Sequence, residues 1–179
     1  MRYESIADIY SINAKTRDRF LTVIQSVTDD EVIVLPDGEP WSIGYIVEHV
    51  AIVNGGMAGI CGKLIEKAKS NGTEAGDGLA ISDKFYECIG MMATRKAEAP
   101  ERVRPSGSLS VVESKDQLAA GSVAFESFRE GFEQLDLTEP TFPHPYFGDL
   151  TAVEWFALAG IHERRHTDQI ERLLTKIRQ

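Results

Sequence analysis

A chain of 179 residues, 42% hydrophobic and 26% charged, is long enough to bury a core without disulfide staples and too apolar to be disordered. Its formal net charge of −9 argues against a broad nucleic-acid footprint, which needs clustered Lys and Arg to displace phosphate counterions. Cys61 and Cys88 form neither a short metal-binding pair nor a disulfide framework, and no signal-like segment or run approaching ~20 apolar residues stands out, so the chain reads as one cytoplasmic domain over 1–179.

From Tyr3 to Val27, the residues Ile6, Tyr10, Asn13, Arg17, Phe20, Ile24 and Val27 recur at three- and four-residue spacing, the stripe of an amphipathic helix. Pro36-Asp37-Gly38 and Pro40 then break the chain. Ser42 is placed to cap a second helix, whose apolar face runs through Ile43, Ile46, Val47, Val50, Val53, Met57, Ile60, Leu64 and Ile65 to about Ala68 despite Gly55-Gly56. Turns follow at Ser70-Asn71-Gly72 and Gly76-Asp77-Gly78. Ser82 is placed to cap a shorter helix through Phe85, Tyr86, Ile89 and Met92 that stops before Pro100, and 101–110, with Pro105 and Gly107, is irregular. Ser114-x-x-Gln117 has the form of a capping box and predicts a helix with Leu118, Phe125, Phe128, Phe132 and Leu135 on one side. After the breakers from Pro140 to Gly148, Thr151-x-x-Glu154 predicts the start of a last helix reaching about Lys176. No alternating strand pattern of any length is visible. Four main helices and one additional short helical excursion predict an all-α bundle.

The strongest local signal is His162-Glu163-Arg164-Arg165-His166 in the last helix. Its two histidines lie about 40° apart around the axis and one turn apart along it, which suits joint coordination of one ion. Trp155, Leu158, Ala159, Ile170, Leu173 and Ile177 share that arc, so both imidazoles point inward. On the second helix, His49 shares an arc with Ile46, Val53 and Ile60. A single histidine on an apolar face is ordinarily a core residue with a hydrogen-bond partner. Three inward imidazoles from two helices are different: left unpaired they cost on the order of several kcal/mol, whereas one divalent ion satisfies all of them. His49, His162 and His166 are therefore the predicted metal ligands. His144, between Pro143 and Pro145, reads as a turn or loop residue outside that set.

The pentapeptide also matches H-E-x-x-H, the zinc-peptidase pattern in which the glutamate is the general base. Such peptidases take a third ligand downstream, yet no histidine follows His166, and Glu171 lies about 140° around the helix from it. Glu163, about 60° from His166, reads as a solvated helix-edge residue, the alternative being that it reaches a bound water. Arg17 is placed either to bind an anionic thiol or to pair with an acid such as Glu48, and Asn13 reads as a satisfied core amide. Trp155, Phe125 and Phe128 read as core. Cys61, about 120° around its helix from His49, and Cys88, on the separate excursion, fall outside the site. The basic tail of Arg164, Arg165, Arg172, Lys176 and Arg178 alternates with Glu163, Asp168 and Glu171 and reads as a solvated face.

Several segments in order resemble the DinB-like superfamily: Trp41-x7-His49 opening a helix, Ala99-Pro100-Glu101-Arg102-Val103-x-Pro105, His144-Pro145-x-Phe147-Gly148, and His162-x-x-Arg165-His166-x-x-Gln169-Ile170. That resemblance implies an up-down-down-up four-helix bundle with one divalent cation per chain, zinc or nickel, held near one end by the histidines matching His49, His162 and His166. It also implies homodimers and, among characterised members, S-transferases and isomerases that use low-molecular-weight thiols such as bacillithiol or mycothiol. Two function classes follow. In the first the protein is an enzyme, a transferase or hydrolase, whose ion activates a small thiol or water to attack a small-molecule electrophile. In the second it is a non-catalytic metal-binding stress or interaction protein whose ion staples two helices. Neither involves nucleic acid or membrane.

Overall fold

The computed structural model describes residues 2–72, 78–92 and 98–179. Along the chain these form α1 (Ile6–Gln25), α2 (Asp29–Ile33), α3 (Ile43–Asn71), α4 (Asp83–Met92), a 3-10 turn at Glu101–Val103, α5 (Val111–Ser127), α6 (Arg129–Gln134), β1 (Thr141–His144), β2 (Gly148–Thr151) and α7 (Ala152–Ile177). Most of the predicted starts are where a hydroxyl can accept an orphan amide: Ser42 Oγ accepts from Tyr45 N, Ser82 Oγ from Phe85 N, and Thr151 with Glu154 forms a full capping box. α3 continues past Ala68 to Asn71 and stops at Gly72, whose φ of 69° is the left-handed conformation that ends helices. Of the predicted turn at Gly76-Asp77-Gly78, Gly76 and Asp77 lie outside the described residues.

Two expectations need correction. The capping box of α5 is Ser110-x-x-Glu113, one turn earlier than Ser114-x-x-Gln117: Ser110 Oγ accepts from Glu113 N at 3.2 Å and Glu113 Oε2 accepts from Ser110 N at 2.8 Å. Both tetrads fit the pattern, but a charged Glu in the first turn also meets the positive end of the helix dipole, which a neutral Gln does not. The strands were not foreseen either. β1 and β2 form an antiparallel hairpin with His144 opposite Gly148, only four residues a side and carrying Pro143, too short to register as an alternating pattern. Trp155 Nε1 donates to Phe142 O at 3.2 Å and docks this hairpin on α7.

Helix directions follow from cross-contacts. Asn13 meets Phe156 while Arg19 meets Glu171, so α1 and α7 run parallel. Cys61 meets Ala152 while His49 meets His162, so α3 opposes α7. A Cβ on Gly121 would touch Asn54, and one on Gly131 would touch Ile65, so α3 runs with α5 and α6. The result is the predicted up-down-down-up bundle of α1, α3, α5 and α7.

The interior is not one continuous apolar mass. One core gathers Ile9, Met57, Cys61, Leu64, Phe85, Phe125, Phe132, Trp155, Phe156 and Leu158. A second gathers Phe20, Ile24, Ile43, Ile46, Val50, Leu118, Ile170 and Leu173. Between them lies a polar belt of Asn13, Arg17, His49, Asn54, His162, Glu163, His166 and Thr167. By length and composition α3 is apolar enough to cross a bilayer, contrary to the sequence expectation, but 56% of its most apolar window is buried within the bundle.

Candidate metal centre

Two helices build the centre. α3 presents His49, 4% exposed, and α7 presents His166, 8% exposed, with the half-buried His162 one turn before it. His49 Nε2 and His166 Nε2 each lie 3.2 Å from His162 Nε2, and all three ligand atoms lie within 4.8 Å of one another. A tetrahedral ion with Zn–N bonds of 2.0–2.1 Å needs ligand nitrogens about 3.3–3.4 Å apart, so two edges are already near that length.

Proton accounting gives an independent test of fit. His49 Nδ1 donates to Val103 O at 2.7 Å and His166 Nδ1 donates to Gln169 Oε1 at 2.9 Å. Each ring then has a lone pair on Nε2, and both lone pairs aim at His162 Nε2, which has at most one proton to offer. Protonating the rings is not an escape. Burial first, and repulsion from the neighbouring histidines second, push His162 well below its usual range and His166 down to about 3; burial also lowers His49. The cluster is therefore three neutral imidazoles with more acceptors than donors, which is what a cation satisfies. The carbonyl and amide partners on Nδ1 fix ring orientation as outer-shell groups do at metal sites. Trp41, its ring 4.8 Å from that of His49, closes one side.

The carboxylates beside these ligands are engaged elsewhere. Glu163 is not a solvated edge residue: it is 3% exposed, and its two oxygens accept from Arg17 Nε at 2.6 Å and Nη2 at 2.8 Å. Arg17 also donates through Nη1 to Leu118 O and Ser122 Oγ, tying α1, α5 and α7 together. The acid of the H-E-x-x-H match, about 60° around α7 from His166, is thus tied by both oxygens to Arg17 and is not placed as a general base. Glu48, the partner expected for Arg17, instead accepts from Ser106 N, Gly107 N and the hydroxyls of Ser106 and Ser108. Burial opposes its charge, yet these hydrogen bonds win and hold its carboxyl below the usual range. Glu48 and His49 together pin the 103–108 segment over the centre.

Other expectations divide. Asn13 is only half satisfied: its amide donates to Phe156 O, while Oδ1 is buried without a partner against Gly160, where a Cβ would overlap it. Phe125 and Trp155 are core residues and Phe128 is half-buried. Cys61 is a buried free thiol donating to Ala152 O, and Cys88 is likewise free and buried, both away from the ligands. His144 lies at the end of β1, outside the ligand cluster. Val103, Gln169 and the Glu48 clamp were not singled out as partners beforehand. The one available signal was an acid, Glu48, inside an otherwise apolar helix face.

The sequence model of the DinB superfamily matches residues 13–170. An uncharacterized protein, YuaE of Bacillus subtilis (strain 168), is 26% identical over 164 residues, covering 86% of this chain and 90% of its own. No solved structure matches the chain significantly.

Proposed function

The chain belongs to the DinB superfamily, a metal-binding family, and from that premise we propose that it is a metal-dependent enzyme in which a divalent ion on His49, His162 and His166 activates a small thiol, or water, toward a small electrophile. One observation carries this reading. Among the described residues, three histidines converge and no cysteine or carboxylate joins them as a fourth ligand. Structural zinc sites close with four protein ligands, whereas catalytic ones keep a position open. When bound, the ion supplies Lewis acidity: a coordinated thiol becomes thiolate and a coordinated water falls to a pKa of about 7. The protein's own part is to keep three imidazoles neutral, to aim their Nε2 lone pairs at one point, and to deny the centre any free carboxylate.

Zinc or nickel suits an all-imidazole set. The test is elemental analysis of untagged protein followed by turnover of thiol with electrophile, comparing metal-loaded and chelated forms. About one transition metal per chain, lost in His49→Ala and His166→Ala together with turnover, supports the reading. Turnover that survives loss of the metal overturns it. Metal binding that raises the melting temperature without any thiol-dependent turnover favours a purely structural ion.

A further inference from the structure

Three neutral imidazoles leave the charge of a bound divalent ion uncompensated, because the two acids nearest in sequence, Glu48 and Glu163, are bound to the 106–108 segment and to Arg17. The surroundings add positive charge. Arg102 precedes Val103, whose carbonyl holds His49, and its guanidinium has no ion-pair or hydrogen-bond partner among the described residues. Arg165, which donates to Met92 O, acts on both His162 and His166.

His144 is near enough to the centre for its charge to act on His162, and Arg102 is near enough to act on His144. Its Nδ1 accepts from Tyr146 N at 3.1 Å and Phe147 N at 3.3 Å, so the ring proton sits on Nε2. Among the described residues no acceptor meets that Nε2–H. The ring packs 5.1 Å from Trp155, which lies seven residues before His162 and so on nearly the same face of α7, about 10 Å along the axis. Burial chiefly, and the charge of Arg102 next, keep this ring neutral, with a pKa lowered to about 4. Arg17, on the inward face of α1, is consumed by Glu163 and cannot serve an incoming anion.

We propose that the thiol taken at this centre bears a carboxylate, its sulfur reaching the ion and its carboxylate meeting the His144 Nε2–H and the Arg102 guanidinium. This rests on the metal-and-thiol reading above. His144 and Arg102 are then specificity residues: they select a charged thiol over an uncharged one of equal length.

The experiment loads the full chain with cobalt(II) and follows the thiolate-to-cobalt charge-transfer band while titrating mercaptopropionate or its alcohol analogue mercaptopropanol. The expected result is binding of the acid at least about tenfold tighter than the alcohol, a difference of about 1.4 kcal/mol. Arg102→Gln brings that ratio down to about one. His144→Asn does the same while keeping the turn, since Oδ1 takes the place of Nδ1 as acceptor. His144→Gln, whose amide nitrogen stands near the Nε2 position, retains the preference. Melting temperatures of the variants confirm that each is folded. A wild-type ratio near one, or a ratio unchanged in both Arg102→Gln and His144→Asn, overturns the proposal and leaves the metal reading standing. No charge-transfer band with either thiol overturns both.

Discussion

Two neighbouring residues on α7, His162 and Glu163, sit in the same polar belt and have opposite fates. Glu163 is matched by the chain: an arginine from α1 meets both its oxygens and spends its remaining donors on α5. His162 is met by two further imidazoles whose lone pairs compete for one proton. A buried polar group that the protein satisfies in full holds helices together. A buried cluster that it leaves short of donors is asking for something the chain does not contain, and that contrast separates scaffold from site here more reliably than the sequence motif, in which the two residues are adjacent.

The largest effect expected from this contrast is at the satisfied pair. Arg17→Ala strands a buried carboxylate and costs about 3–5 kcal/mol, whereas replacing both partners, Arg17→Met with Glu163→Met, is close to neutral. Urea unfolding of the single and double variants decides it, and a double variant as unstable as the single would mean that the pair is no mere scaffold.

Next comes the unsatisfied cluster. Free zinc at about a hundred times its Kd stabilises the folded state by about 2.7 kcal/mol, seen as a rise in melting temperature that a chelator reverses. His49→Ala and His166→Ala abolish that rise. An equal rise in the variants would place the ion elsewhere.

An effect that grows as pH falls appears in the metal-free protein. His166 is held at about 3 by burial and by His49, and His162 and His49 are also lowered from 6.5, so the unfolded chain takes up protons first. The stability from these groups is therefore full above 6.5 and is lost as pH falls toward about 3. A urea midpoint that stays flat through that window would contradict it.

The smallest test repeats the contrast with two serines. Ser110→Ala removes a matched cap and costs about 1 kcal/mol. Ser114→Ala removes a buried hydroxyl that has no partner and costs nothing or stabilises slightly, since no hydrogen bond is lost with it. Thermal melts of the two variants suffice, and a costly Ser114→Ala would show a partner that the present geometry lacks.

Much of this was legible beforehand where the physics is local. A helix repeats every 3.6 residues, so apolar spacing in α1, α3 and α7 marked their inward faces and placed His49, His162 and His166 among core residues. Caps at Ser42, Ser82 and Thr151 were readable because an N-cap hydroxyl acts within three residues. The same locality misled at Ser114, where two overlapping tetrads fit one rule and the difference lay in the charge of Glu113 against Gln117.

What spacing alone could not supply was partnership across the bundle. Both Glu48 and Glu163 were available acids for Arg17, and periodicity says which face a residue takes but not which residue 100 or more positions away stands opposite. The approach of α1 to α7 brought Glu163 to Arg17, and the fold of the 103–108 segment onto α3 took up Glu48 and placed Val103 O on His49. Composition and period therefore sufficed for the helices and the inward histidines, because those depend on neighbours along one axis. The emptiness of the centre of competing carboxylates depends on which long-range pairs form, and that is a property of packing.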